Sequence, residues 1–134
     1  MRRWYNRGMN ESIFTKIIRG EIPSHKIYED ERTYAFLTIE PETPGHTLVI
    51  PKAQVDKVYE VEDEDYQALW ASVKKIAAHM EEVLGVRIAM QVIGIDVPHA
   101  HVHLIPMSSD RRTWGSPSRA DDAELAEMAK RLAL

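Results

Sequence analysis

The sequence predicts an α+β fold: a five-stranded, largely antiparallel sheet covered by a long helix and a short N-terminal helix. Three observations predict it. Apolar residues recur at steps of three and four over residues 63–84 and in only two shorter stretches, so helices are few. Five short runs rich in β-branched and aromatic residues, parted by Pro, Gly and acidic corners, read as strands. The order helix, three strands, long helix, two strands, helix fits neither a βαβ alternation nor an all-β rhythm. At 134 residues, one domain around one core is expected.

Residues 1–11 read as a flexible extension, with Met9 an alternative first residue, and residues 12–134 as the single domain. Arg2, Arg3 and Arg7 precede no apolar run. A secretory signal needs about 7–15 apolar residues, and Met9-Asn10-Glu11-Ser12 interrupts any such stretch. No run of roughly 18 apolar residues follows, so no membrane contact and a cytoplasmic location are expected.

Ser12 is the N-cap of a short helix over Ile13 to Arg19, which Gly20 stops; Ile13, Phe14, Ile17 and Ile18 form its apolar stripe. Pro23 marks a turn. Lys26–Glu29 and Thr33–Ile39 read as strands around the corner Asp30-Glu31-Arg32. The turn Pro41-Glu42-Thr43-Pro44-Gly45 delivers a third strand, His46–Ile50, closed by Pro51. Over residues 63–84 the stripe Tyr66, Leu69, Trp70, Val73, Ile76, Ala77, Met80, Val83 and Leu84 predicts the long helix. Asp63, Glu64 and Asp65 complement its dipole and Gly85 ends it. Val86–Val92 and Ala100–Ile105 are the remaining strands, Ser108–Ala120 a loop, and Asp121–Leu132 a last, polar helix. Such a sheet leaves edges exposed, and dimerisation edge to edge is one way to cover them.

Composition excludes several classes. The chain has no Cys, which removes disulfides, Cys-based zinc sites and Cys nucleophiles. Its net charge of −4 argues against a nucleic-acid surface. A hydrophobic fraction of 44% with 28% charged residues suits a globular chain. What stands out is histidine: of six in the chain, three fall within five residues.

His99-Ala100-His101-Val102-His103-Leu104-Ile105 alternates with period two. On a strand this puts the imidazoles on one face, about 6.6–6.8 Å apart along the chain, and the apolar residues on the other. The imidazole face is expected to meet a cleft or solvent, because three unsatisfied rings are costly to bury. Three readings stand: inert polar residues on an outer face, a metal site built on His-x-His, and phosphate chemistry. In the last, one neutral imidazole attacks phosphorus while protonated neighbours stabilise negative charge. Strict alternation of three weighs against inertness.

The run from His99 to Ile105 resembles the signature of the histidine-triad (HIT) family, His-φ-His-φ-His-φ-φ with φ apolar. The segment Ser-Ile-Phe-Thr-Lys-Ile-Ile-Arg-Gly-Glu-Ile-Pro from Ser12 and the segment Pro44-Gly45-His46-Thr47-Leu48-Val49-Ile50-Pro51-Lys52 are similar to family segments in order and spacing. The resemblance spans roughly residues 12–106. It implies a HIT-like domain that dimerises into a continuous ten-stranded sheet, and a nucleotide hydrolase or transferase acting on a small purine nucleoside phosphate derivative. The expected substrate is a nucleoside 5′-phosphoramidate or a related compound. A dinucleoside polyphosphate hydrolase and a nucleotide-binding signalling module with little turnover are the alternatives.

The resemblance further implies that His101 attacks the α-phosphorus, that His99 orients it through its backbone carbonyl, and that His103 and His46 contact phosphate oxygens. No metal and no cofactor are expected. The family's nucleobase slot matches Ile13, Phe14, Ile17 and Ile39, residues that a short amphipathic helix and its neighbouring strand would also bury as core.

The chain departs from the family pattern at three places. Thr38 stands where many relatives hold ribose with Asp, and one hydroxyl cannot accept two bonds as a carboxylate does. Gln91 is the substitute for ribose contact, against the reading of an ordinary surface side chain. The loop Val92-Ile93-Gly94-Ile95-Asp96-Val97-Pro98 is shorter than in relatives; Ile95 cannot donate a hydrogen bond, and Asp96 either turns away or helps protonate an amine leaving group. Ser12, Thr15 and Gln54 occupy positions where some relatives bind zinc through Cys and His, so that site is not expected. Trp114, with Arg111 and Arg112, either reaches a partner's site or packs on its own core. His25 and His79 have no assigned role.

Overall fold

The computed structural model describes residues 10–107 and 119–134. Five strands, β1 (His25–Glu29), β2 (Thr33–Leu37), β3 (Thr47–Pro51), β4 (Arg87–Gln91) and β5 (Val102–Met107), form one sheet in the order β1-β2-β3-β5-β4. Every pairing is antiparallel. Helices α1 (Ile13–Ile18), α2 (Asp63–Leu84) and α3 (Asp122–Leu132) pack around it, and a single 3₁₀ turn, Val58–Glu60, precedes α2. The α+β fold with a five-stranded antiparallel sheet is as expected. Of the expected extension, Asn10 and Glu11 are tied down: Gln54 donates to the Asn10 carbonyl at 2.8 Å and Glu11 pairs with Arg19. Residues 1–9, and Arg111, Arg112 and Trp114 with the loop expectation around them, lie outside the described residues.

Alternation along β2 and β3 sorts side chains onto two faces, both covered, so every residue of these strands is buried. Ala35, Leu37, Val49, Val102 and Leu104 meet Leu69, Val73, Ile76 and Met80 of α2 and Leu125 and Leu132 of α3. Tyr34, Phe36, Leu48 and Ile50 face the other way and meet Phe14 and Ile17 of α1. α2 has the bounds the periodicity predicts, with Gly85 at φ 72° returning its N–H to the Glu81 carbonyl at 2.8 Å.

Most element ends shift by a residue or two from expectation, and three of the shifted boundaries position the site. β2 stops at Leu37, because the Thr38 N–H donates to the His46 carbonyl at 3.2 Å and the Thr38 hydroxyl accepts from the Glu40 N–H, also at 3.2 Å, which starts the turn. β3 begins at Thr47, one residue after His46. β5 begins only at Val102: the His99 N–H turns back to the Val97 carbonyl at 2.8 Å and the Ala100 N–H reaches the Val55 carbonyl at 2.7 Å, so the chain is bent rather than extended there. The expected strand over Ala100–Ile105 is thereby shifted to run through Pro106 and Met107.

Gly45 turns the chain toward His46. Its φ is +95°, and an added Cβ would lie 3.1 Å from Leu84 Cδ1 and 3.2 Å from Pro106 Cγ. At the sheet's edges, the Leu134 N–H donates to the Ile27 carbonyl of β1 at 3.0 Å, whereas no described strand pairs with the outer side of β4, where Met90 is half exposed. No described helix is long and apolar enough to cross a membrane.

Candidate functional site

Sheet alternation carries His103 and His46 onto the face that meets α1: His103 lies opposite Leu48 in the ladder, and His46 precedes Leu48 by two residues. His101 precedes His103 by two and joins them, its ring centroid 5.0 Å from that of His103 in an edge-on arrangement. His99 is drawn further in and fully buried. The three imidazoles therefore do not line one face of an extended strand, as the alternation predicts; only His103 belongs to β5. Of the triad, His99 and His101 are buried and His103 is half-buried, and His46 beside them is buried as well. Burial is tolerated because most ring nitrogens are paired.

Those pairs determine the tautomers, since a carbonyl oxygen only accepts and a backbone N–H only donates. His99 Nε2–H donates to the Pro51 carbonyl at 2.8 Å, so His99 Nδ1 accepts from the Ser12 hydroxyl at 2.7 Å. His101 Nδ1–H donates to the His99 carbonyl at 2.8 Å. Its Nε2 then carries a lone pair, and no described residue hydrogen-bonds to it. His46 Nδ1 accepts from the Glu42 N–H at 3.0 Å, so His46 Nε2–H donates to His103 Nδ1 at 2.9 Å. The remaining proton of His103 sits on Nε2.

Electrostatics agree with neutral rings. Burial, and then the neighbouring His103, lowers His46 to about 4. Burial, and then His101, lowers His103 to about 4. His99 is lowered to about 4 by burial, opposed by its bond to the Pro51 carbonyl. The protonated neighbours expected around the attacking ring are therefore neutral in the free site, and they offer N–H groups instead of full charges. An entering phosphate would raise the pKa values of His46 and His103.

The residues expected to hold a nucleotide divide into two sets. Phe14 and Ile17 are buried in the core beside Tyr34, Phe36, Leu48 and Ile50. The Phe14 ring stands edge-on to His101 at 5.2 Å and near His99 at 5.8 Å, so it wedges the triad from the helix side. Ile13 and Ile39, by contrast, are 49% and 45% exposed and free to meet a ligand. Thr38 is half-buried, its hydroxyl engaged as an acceptor with a donor proton to spare. Gln91 lies directly across the ladder from His103 and shares its face. In the shortened loop Ile95 is 82% exposed, and Asp96 is exposed as well.

Ser12, Thr15 and Gln54 do converge, on His99. Thr15 Oγ1–H donates to Gln54 Oε1 at 2.6 Å, the Ser12 N–H donates to the same oxygen at 2.7 Å, and Ser12 reaches His99. Two hydroxyls, an amide and one imidazole make a poor zinc donor set. Among the described residues no cluster of three or more His, Cys, Asp or Glu could hold a metal. Sequence reasoning missed this cluster's contact with the triad, reading Ser12 as a helix cap and as one of three residues standing where some relatives bind zinc. It also missed the carbonyls of Pro51 and Val55, because a backbone acceptor leaves no mark in residue identity.

Comparison with known proteins places this geometry among relatives. A family model described as the HIT domain matches residues 19–110. The chain is 40% identical over 136 residues to the protein named Protein hit from Bacillus subtilis, covering 90% of this chain and 94% of that one. It is 39% identical over 103 residues to the purine nucleoside phosphoramidase of Escherichia coli, covering 71% of this chain and 86% of the relative. The crystal structure of a Hit-like protein involved in cell-cycle regulation from Bartonella henselae matches with a TM-score of 0.87 at 32% identity, covering 92% of this chain and 95% of that one.

Proposed function

Because this chain belongs to the HIT family, we propose that it cleaves a nucleoside 5′-phosphoramidate, or a related bond at the α-phosphate of a small purine nucleotide, through a nucleotidyl-histidine on His101. The observation that carries this reading is the anchored ring: His101 Nδ1–H is held by the His99 carbonyl at 2.8 Å, which leaves the Nε2 lone pair as the nucleophile. Nε2 attacks phosphorus, the phosphorus–nitrogen bond breaks, and the amine leaves with a proton taken from solvent water, which the hydrolytic step returns. Water then breaks the imidazole–phosphorus bond, releasing the nucleoside monophosphate and the free imidazole. His103 Nε2–H donates to the phosphoryl oxygens, and His46 holds His103 in the tautomer that makes this donation available.

Ile13 and Ile39 take the base, with Phe14 and Ile17 forming the floor beneath it, while Thr38 and Gln91 contact the ribose. No metal or cofactor enters these steps. The protein acts in the cytoplasm as a homodimer joined through β4. Two things support the dimer: no described strand pairs with the outer edge of that strand, and the apolar Met90 lines one surface depression with Trp70 of α2. Residues 12–134 constitute the working domain.

The test is turnover of a purine nucleoside phosphoramidate by His101→Ala and His101→Asn variants. Both lose activity on this reading, and wild-type rates in either would overturn it. One observation favours a second reading, a nucleotide-binding module with little turnover: Ile95, 82% exposed, has no group to hand to a leaving amine. Tight nucleoside monophosphate binding without hydrolysis of a phosphoramidate or a diadenosine polyphosphate would select it.

A further inference from the structure

The geometry points to Ser12 as a positioning residue for the nucleophile, acting through His99 on His101. The inference rests on the reading of His101 as the attacking ring.

Ser12 does two jobs with one hydroxyl. As N-cap of α1 its oxygen accepts from the Thr15 N–H at 3.0 Å. As donor, its proton goes to His99 Nδ1 at 2.7 Å. Thr15 Oγ1, the other acceptor within reach, is farther at 3.3 Å and itself donates to Gln54 Oε1 at 2.6 Å, so the nearer Nδ1 takes the Ser12 proton. Gln54 also accepts from the Ser12 N–H at 2.7 Å, so the backbone of Ser12 is held as well as its side chain.

The consequence falls on His99. Its ring is pinned at both nitrogens, by Ser12 and by the Pro51 carbonyl, in a site with no solvent access. A neutral imidazole has one donor and one acceptor nitrogen, so a proton supplied at Nδ1 requires Nε2–H toward Pro51. Without that proton, Nδ1 keeps only Thr15 Oγ1 at 3.4 Å, whose proton already goes to Gln54, so the buried acceptor is left poorly satisfied and the ring gains by flipping or taking up a second proton. Either change disturbs the residue whose carbonyl holds His101 Nδ1–H. The link is short: one hydroxyl, one ring and one carbonyl separate the start of α1 from the attacking nitrogen.

Three variants separate this role from capping. Ser12→Thr keeps both cap and donor. Ser12→Asp keeps the cap, since a carboxylate accepts from the Thr15 N–H, but supplies no proton to His99. Ser12→Ala loses both. The readouts are steady-state kinetics with a nucleoside phosphoramidate, the pH dependence of kcat, and nitrogen-15 NMR of the imidazoles. Ser12→Thr is expected to keep kcat within about threefold. Ser12→Asp, still folded, is expected to lose about 10–100-fold in kcat with KM little changed, since misplacing a reacting group by about 1 Å costs on the order of 10²-fold. Its carboxylate favours the charged imidazolium, so His99 should titrate higher than in the wild type and the acid limb of the kcat profile should move up in pH.

Wild-type kcat in Ser12→Asp overturns the proposal. So does a loss of kcat with the His99 and His101 ring signals unchanged, because the effect would then bypass His99. Wild-type turnover by His101→Ala sinks the nucleophile reading instead, whatever Ser12 does. The ring signals of His99 and His101 report on the Ser12 link even if no phosphoramidate is turned over.

Discussion

His46 Nε2 lies 2.9 Å from His103 Nδ1, with the two ring centroids 5.1 Å apart, so one neutral imidazole donates to another at the centre of the candidate site. Such a bond survives only while His103 Nδ1 is unprotonated and His46 keeps its Nε2 proton. Burial of both rings enforces that state by holding each pKa at about 4.

Stability should therefore depend on pH with a definite sign. His46, His99 and His103 sit near 4 in the folded chain and near 6.5 when unfolded. Between those values the unfolded chain binds protons that the folded one excludes, so stability is complete above about pH 6.5 and falls as the pH drops toward 4. Each group contributes a slope of at most about 1.4 kcal/mol per pH unit in that window. Denaturant titrations at pH 7, 5.5 and 4.5 measure it. A flat profile would contradict the neutral rings.

Gly45→Ala should destabilise by about 1–3 kcal/mol, because its φ of +95° disfavours any Cβ and the added methyl meets Leu84 and Pro106. Since Gly45 delivers His46, activity should fall as well. Thermal unfolding and turnover together check this, and unchanged values for both would refute it.

Phe14 and Ile13, neighbours on α1, should respond in opposite ways. Phe14→Ala empties a site packed against Phe36, His99 and His101 and should cost about 3–5 kcal/mol. Ile13→Ala touches a half-exposed side chain, should change stability by about 0.5 kcal/mol or less, and should raise KM for the nucleotide with kcat nearly intact. Unfolding curves paired with kinetics separate the two, and an Ile13→Ala variant with wild-type KM would remove Ile13 from the base contact.

Met90→Lys places a charge on the open strand β4 and should convert a homodimer to a monomer in light scattering, with the fold retained by circular dichroism. A variant that stays dimeric would move the interface elsewhere.

Much of the fold is legible in residue order because its signals are local. The long helix announces itself through one stripe and its Gly stop, and β2 and β3 through apolar runs between turn residues. Legibility fails at the strand ends near the site. Alternation in His99–Ile105 predicts an extended run, but contacts to Val55 and Val97 bend the chain until Val102. Those partners are backbone atoms, and no residue preference encodes them. Phe14 and Ile13 look alike by helical period, and only packing against Phe36 and the triad tells the buried one from the open one.

By itself the sequence determined that no Cys takes part and that four histidines fall in family segments. Tertiary structure alone decided which nitrogen of each ring carries the proton. Ser12 and His99 are 87 residues apart, Pro51 and His99 48, and His46 and His103 57. A neutral imidazole takes its tautomer from whatever donor or acceptor meets it, and here most of those partners arrive only when the sheet and α1 close around the rings.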